Sequence, residues 1–315
     1  MKKHILEKSR NPIPSLTLVL IFAIQFQTVL LSQQINTTYP DTVKKVLQYN
    51  SADLNYKSGS TKWYGMFTNI PTDYLSFIRQ SFTVKKIPTL LTIGALTGSL
   101  MLVDQQGWKT ENSMIKKSLI DHKIANFAVN MGDGRYQFLT AAAFAIPGLI
   151  FHDQRAIKTG SNIVEAILST GLFVQALKRM TGRQSPAAST ENGGDWDPFP
   201  SIRQYQKNQP AFYSFPSGHL STATAVLTVI ANNYPEEKWI KPIGYPLLGL
   251  LSLSLVSKGM HWYSDLPLAF FLGYSFGNII APEKDSASQD NRKSSLKIFP
   301  SITYNGVQLG INYRF

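Results

Sequence analysis

Apolar positions along the chain gather into six stretches: Ile87–Val103, Phe138–Phe151, Ile163–Leu177, Leu220–Asn232, Ile240–Val256 and Leu266–Ile280. Their length and continuity read as helices rather than half-buried strands. Ile87–Val103 and Ile240–Val256 approach the roughly 20 residues that a bilayer crossing needs. The others are shorter, and Glu165 interrupts one. Such lengths also suit the buried helices of a bundle. Asp121–Tyr136 is amphipathic at helical spacing and ends in a Gly-Asp-Gly turn. Strand signals are scarce and no repeat is present. The pattern predicts an all-α bundle of about six core helices.

The flanks differ in character. Residues 1–32 start basic (Lys2, Lys3, Lys8, Arg10), continue through an apolar Ser15–Leu31 run and end on Ser32, a small residue suited to cleavage. This is the pattern of an export signal, with an uncleaved anchor as the alternative. It puts the rest of the chain outside the cytoplasm. Residues 33–84 are polar and aromatic and read as a covering segment. Residues 187–213 form a long polar connection, a length that marks a lid or binding loop, with Trp196, Phe199 and Tyr205 among its aromatics. Residues 283–297 read as a polar linker. Residues 298–315 alternate apolar and polar around Asn305-Gly306, which predicts a hairpin.

Composition narrows the class. Charged residues make up 16% and hydrophobic ones 43%, so the chain is not of disordered type. There is no cysteine, which removes disulfides, thiolate metal sites and a cysteine nucleophile. The net charge of +12 points to an anionic partner: nucleic acid, anionic lipid or a phosphorylated substrate. An export signal and apolar helices argue against nucleic acid.

Three short segments carry chemistry. In Phe-Pro-Ser-Gly-His, Pro216 and Gly218 force a turn and Ser217 is placed to cap the helix that follows. The free N–H groups of such a helix start suit an anion, and His219 beside it suits proton donation. In His-Trp-Tyr-Ser-Asp, His261 and Asp265 stand four apart. On a helix they share a face, so the carboxylate would accept the Nδ1 proton and leave Nε2 as a nucleophile or base. Lys178, Arg179 and Arg183 surround the Gly182 turn after the third apolar stretch and suit a phosphate. Each segment also has a plain structural reading, as a helix end or a surface pair. His122 and His152 lie near helix ends and read as structural or solvated.

In this order, each beside an apolar helix, the segments resemble the type 2 phosphatidic acid phosphatase superfamily, whose signature is K-x6-R-P, P-S-G-H and S-R-x5-H-x3-D. The resemblance covers roughly residues 85–282, a phosphatase-like helical domain. Two positions depart from it: Ser185 and Leu255 stand where the family has arginines that grip phosphate. Arg183 and Lys258 are the nearby cations that could supply the missing charge.

The resemblance implies a membrane-embedded bundle and a metal-free phosphatase acting on a phosphate monoester or diphosphate of a lipid, with no cofactor. His261 would form a phosphohistidine, Asp265 would orient it and His219 would protonate the leaving alcohol. Lys178, Ser217 and Gly218 would hold the phosphate oxygens. The implied partners are a phosphorylated lipid and the membrane, not nucleic acid, with no obligatory protein partner. The implied location is the cell membrane or outer membrane, with the site facing the periplasm. The alternative is a degenerate member that binds phospholipid headgroups without turnover. A vanadate-dependent haloperoxidase is a weaker reading, since those enzymes rely on the same arginines.

Overall fold

The computed structural model describes residues 64–115, 122–282, 295–303 and 306–314. The expected export signal (1–32) and most of the expected covering segment (33–84) lie outside these residues. The helices, in chain order, are α1 (Gly65–Thr68), α2 (Ile70–Ser81), α3 (Ile87–Met101), α4 (Asp104–Ile115), α5 (His122–Gly132), α6 (Gly134–Phe151), α7 (Gln154–Thr181), α8 (Ile202–Lys207), α9 (Gly218–Asn233), α10 (Ile240–Ser257) and α11 (Leu266–Ile280). Two antiparallel strands follow, β1 (Ser295–Thr303) and β2 (Gly306–Arg314), in register from Ser295↔Arg314 to Thr303↔Gly306. The first strand thus begins three residues before the predicted hairpin.

Six of the described helices have fifteen residues or more, α3, α6, α7, α9, α10 and α11; five of the apolar stretches lie within them, and α3 covers the sixth except for Leu102 and Val103. Their ends follow from local chemistry. The Asp133 carboxylate accepts the Arg135 N–H at 2.9 Å and starts α6, so the Gly-Asp-Gly turn opens one helix as it closes another. Asp153 accepts the N–H groups of Arg155 and Ala156 and starts α7. Gly182, at φ 56°, ends α7 in the left-handed conformation that glycine adopts at little cost. Pro267 opens the first turn of α11, where its missing N–H costs nothing.

The stretch expected over Ile163–Leu177 is part of the 28-residue α7. Its polar interruptions do not break the helix because they turn inward to partners. Ser169 donates to the Asp73 carboxylate of α2 at 2.7 Å, and Glu165 accepts from Asn69. By length and composition α7 and α10 can cross a membrane; Val84–Met101 with Asp104–Thr110, bent by 61°, makes a third span if the pair is one.

The helix α9 is central and packs against α7, α10 and α11. Its Leu220, Ala223, Ala225, Val226 and Val229 are all buried. Against it α11 presents Gly273 and Gly277. A methyl group on Gly273 would lie 2.1 Å from the Ser221 carbonyl oxygen, and one on Gly277 would lie 2.6 Å from Thr228 Cβ. Small residues four apart let the two backbones approach closely. Gly249 of α10 offers a contrast, since a methyl group there meets nothing within 4 Å. Gly273→Ala should therefore lower the melting temperature measured by circular dichroism in detergent, by an overpacking cost of about 1–3 kcal/mol. Gly249→Ala should not. Equal stability of the two variants would refute the close contact.

Candidate active site

The site forms where three chain segments meet: the end of α7, the start of α9 and the turn between α10 and α11. Ser217 adopts an extended backbone and its Oγ accepts the Leu220 N–H, which caps α9. Its own N–H donates to the Asp265 carbonyl at 3.2 Å and fastens the two histidine-bearing turns together. The result sets the His219 and His261 rings 6.3 Å apart, edge to face. Lys178, buried in the last turn of α7, lies over the Tyr213 ring at 4.9 Å. A methyl group on Gly218 would come within 3.4 Å of its Nζ, so this glycine leaves the ammonium room at the helix start.

His261 is fully buried. Its Nδ1 sits 2.7 Å from the Ser214 carbonyl oxygen and 3.6 Å from Asp265 Oδ2. A carbonyl can only accept, so Nδ1 carries the proton. Nε2 then bears the lone pair, and it has no hydrogen-bond partner among the described residues. Asp265, expected to orient His261, lies near Nδ1, and the Ser214 carbonyl makes the shorter contact. The two residues also do not share a helix, because only Tyr263–Asp265 form a single 3₁₀ turn.

Asp265 is committed in several directions. Its Oδ2 accepts from Ser214 Oγ and from the Trp262 N–H at 2.7 Å, and its Oδ1 accepts from Arg183 at 2.7 Å. Burial alone would raise its pKa, but Arg183, His261 and Ser214 outweigh this and hold it below the ordinary carboxylate range.

Arg183 is not available to a phosphate. It is buried, and each of its five N–H groups has an acceptor. Nη1 donates to Ser264 Oγ at 2.6 Å and to Asp265 at 2.7 Å. Nη2 donates to Asp104 at 2.8 Å and to the Gly193 carbonyl at 2.8 Å, and Nε reaches the same carbonyl at 3.3 Å. The Trp196 and Trp262 rings lie 4.9 and 5.5 Å from the guanidinium carbon. The expectation that Arg183 holds substrate is corrected: it holds the site together.

Lys258 is corrected too. The α10 helix stops at Ser257, and Gly259, at φ 67°, turns the chain, so Lys258 and His261 do not lie along one helical face. Its ammonium is exposed and bonds the Asn126 amide oxygen on α5. Of the two departures from the motif, Ser185 is buried with its N–H bonded to the Pro210 carbonyl. Leu255 is fully buried in the apolar core with Leu220, Leu251 and Leu266.

Asp104, Ser214 and Tyr213 were not singled out in the sequence. Asp104 had a visible signal, a lone acid directly after an apolar helix. Ser214 acts through its backbone carbonyl and hydroxyl, which a sequence does not flag. Residues 187–213 are ordered by backbone pairing to Arg179, Gly182 and Gln184, and they include α8 and a 3₁₀ turn at Gln209–Ala211. Within this connection Phe199 is exposed, Trp196 stacks on Arg183, and the buried Tyr205 takes a bond from Gln175. Among the described residues no group of His, Asp and Glu is arranged to hold a metal ion.

Residues 160–283 match the family model of the PAP2 superfamily, a span that holds Lys178, Arg183, Ser214, Ser217, His219, His261 and Asp265 but not Asp104. Among solved structures, the chain is similar to a transmembrane PAP2-type phosphatidylglycerolphosphate phosphatase from Bacillus subtilis, at 16% identity and a TM-score of 0.38, covering 73% of this chain and 98% of that one. None of the curated proteins matches the chain at a significant level.

Burial, then the neighbouring His261 and Lys178, push the His219 pKa down to about 4. His219 is therefore neutral in the empty site at pH 5–8. An anion at the α9 start would favour its charged form, so binding should take up a proton and tighten as pH falls. Calorimetry with vanadate in buffers of different ionisation enthalpy should register this uptake, and His219→Gln should abolish it. Binding independent of pH in the parent protein would contradict the assignment.

Proposed function

We propose, from the match of residues 160–283 to the PAP2 superfamily model, that this chain is a phosphatase that hydrolyses a phosphate monoester or diphosphate of a lipid through a phosphohistidine. The observation that carries this reading is the state of His261. Its Nδ1 proton is held by a backbone carbonyl, while Nε2 is buried, unpartnered and beside His219.

The chemistry then runs in two steps. The Nε2 lone pair forms a bond to phosphorus as the bond to the alcohol oxygen breaks, and His219 in its charged form gives that oxygen a proton. Asp265 and the Ser214 carbonyl answer the positive charge that grows on the imidazole. Water then attacks phosphorus, His219 takes its proton, the P–N bond breaks and phosphate leaves. Lys178, the backbone N–H of Gly218 and the Ser217 cap hold the oxygens at the positive end of α9. Arg183 and Lys258 take no part in that grip.

A lipid substrate is supported by what adjoins His219. An open groove of about 650 Å³ runs between α5, α6, α9 and α10, lined by Met131, Tyr136, Leu227, Leu247 and Leu251. Gly132 lies between the groove and the site, since a methyl group on it would sit 2.9 Å from His219 Cβ and 3.0 Å from Leu251 Cδ1. A hydrocarbon chain in this groove would bring its phosphate to the α9 start. The helices able to cross a bilayer agree with substrate drawn from a leaflet. The basic and apolar pattern of residues 1–32 supports a site on the periplasmic or outer face. The domain order is signal 1–32, covering segment 33–84, phosphatase domain 85–282, linker and hairpin.

The competing reading, a phospholipid-headgroup binder without turnover, draws on Ser185 and Leu255. Purified protein in detergent should release phosphate from phosphatidic acid, phosphatidylglycerophosphate, an isoprenyl diphosphate or a lipid A phosphate, and His261→Ala should lose at least about a hundredfold in rate. Binding of these lipids with no phosphate release would favour the competitor. Leu247→Trp should raise KM for the long-chain substrate while sparing a short aryl phosphate.

A further inference from the structure

We infer that Asp104 and Arg183 are positioning residues for His261, acting through Asp265 as one buried charge relay in which Asp104 sets the net charge that His261 meets. This rests on the phosphatase reading for its kinetic consequences and on geometry alone for the rest.

The geometry is a line of alternating charge. Asp104, at the break between α3 and α4, is fully buried and has three donors: Arg183 Nη2 at 2.8 Å, the Ser264 N–H at 3.0 Å and the Ser264 hydroxyl. Three donors on one carboxylate favour its ionised form. Arg183 passes from Asp104 to Asp265, and Ser264 bridges the same two elements by accepting from Arg183 and donating to Asp104. Asp265 then faces His261 Nδ1 at 3.6 Å.

Charge counting gives Asp104 a function beyond packing. Asp265 and Arg183 alone would sum to zero, and His261 would attack phosphorus with no net negative charge behind it. With Asp104 the three groups sum to −1. The attack makes the imidazole a cation, and a net negative neighbour in a dry site stabilises that cation strongly. Of the other titratable groups around His261, Lys178 on α7 acts on it as a positive charge, and Tyr213 on the loop and His219 on α9 supply no negative charge when protonated, so the negative charge that offsets Lys178 must come from the relay. Asp133, at the α6 start, acts on His219 rather than on His261.

Three variants separate this from a structural role: Asp104→Asn, Arg183→Met and the pair together. Relative to a parent sum of −1, they leave sums of 0, −2 and −1. The His261 titration, followed by NMR of histidine-labelled protein in detergent, should move to lower pH in Asp104→Asn. It should move to higher pH in Arg183→Met and return close to the parent value in the double variant. In turnover assays Asp104→Asn should lose at least about tenfold in kcat with KM for the phosphate ester little changed, and the double variant should recover part of it. If Arg183→Met does not fold, Asp104→Asn alone decides by the direction of its shift. Folded Asp104→Asn protein with the parent titration and kcat would overturn the inference. If the parent releases no phosphate from any ester, the phosphatase reading fails, and the order of the NMR titrations still decides the relay.

Discussion

A guanidinium out of water needs both its charge and its five N–H groups answered, and one buried without them would cost several kcal/mol. Arg183 meets that need with groups from three distant parts of the chain: Asp104 after α3, Gly193 in the long connection, and Ser264 with Asp265 before α11. Removing one partner leaves the others uncompensated, at a cost of about 3–5 kcal/mol for a buried pair. The turn that carries His261, the break between α3 and α4 and the 187–213 connection are therefore coupled through this one side chain. Trp196 and Trp262 exclude water from the guanidinium, which strengthens each of these interactions.

The second constraint is the distance between the two histidine turns. It depends on α9 and α11 lying close, which Gly273 and Gly277 permit, and on the Ser217 N–H reaching the Asp265 carbonyl. Neither contact touches the histidines, yet together they set the spacing into which a phosphorus atom must fit. The packing of the bundle and the geometry of the site are in this sense one problem. Side chains on α9 serve the core along most of its length, while its first turn serves the site.

Much of this was legible in the sequence and some was not. The six apolar stretches, the Ser217 cap and the histidine motifs follow from local patterns, because capping and helical burial are short-range effects. The extent of α7 was hidden, because its first nine residues, Gln154–Asn162, and its last four, Lys178–Thr181, are largely polar and fall outside the apolar stretch. Arg183 was read as a ligand for phosphate because a cation near a glycine turn suits an anion. What the sequence could not display was that Asp104, 79 residues earlier, had already taken its charge. Long-range pairing decides whether a cation is free, and spacing along the chain does not report it. The same holds for Lys258, whose neighbour Gly259 ends the helix that would have aimed it.

Leu255 gives the departure from the family motif a physical meaning. It is fully buried among Leu220, Leu251 and Leu266, so an arginine there would carry a charge into hydrocarbon unless the core were rebuilt. The substitution is built into the packing rather than laid on it. On the proposed reading, phosphate is then gripped by an ammonium, a helix start and a histidine instead of by planar forks. A lysine is a point charge with little directional demand, whereas a bidentate arginine fixes the orientation of what it holds. Orientation must come from elsewhere, and the groove beside His219 is the feature that can provide it, by aligning the organic part of the substrate. Selectivity in such a site moves from the phosphate to the chain attached to it.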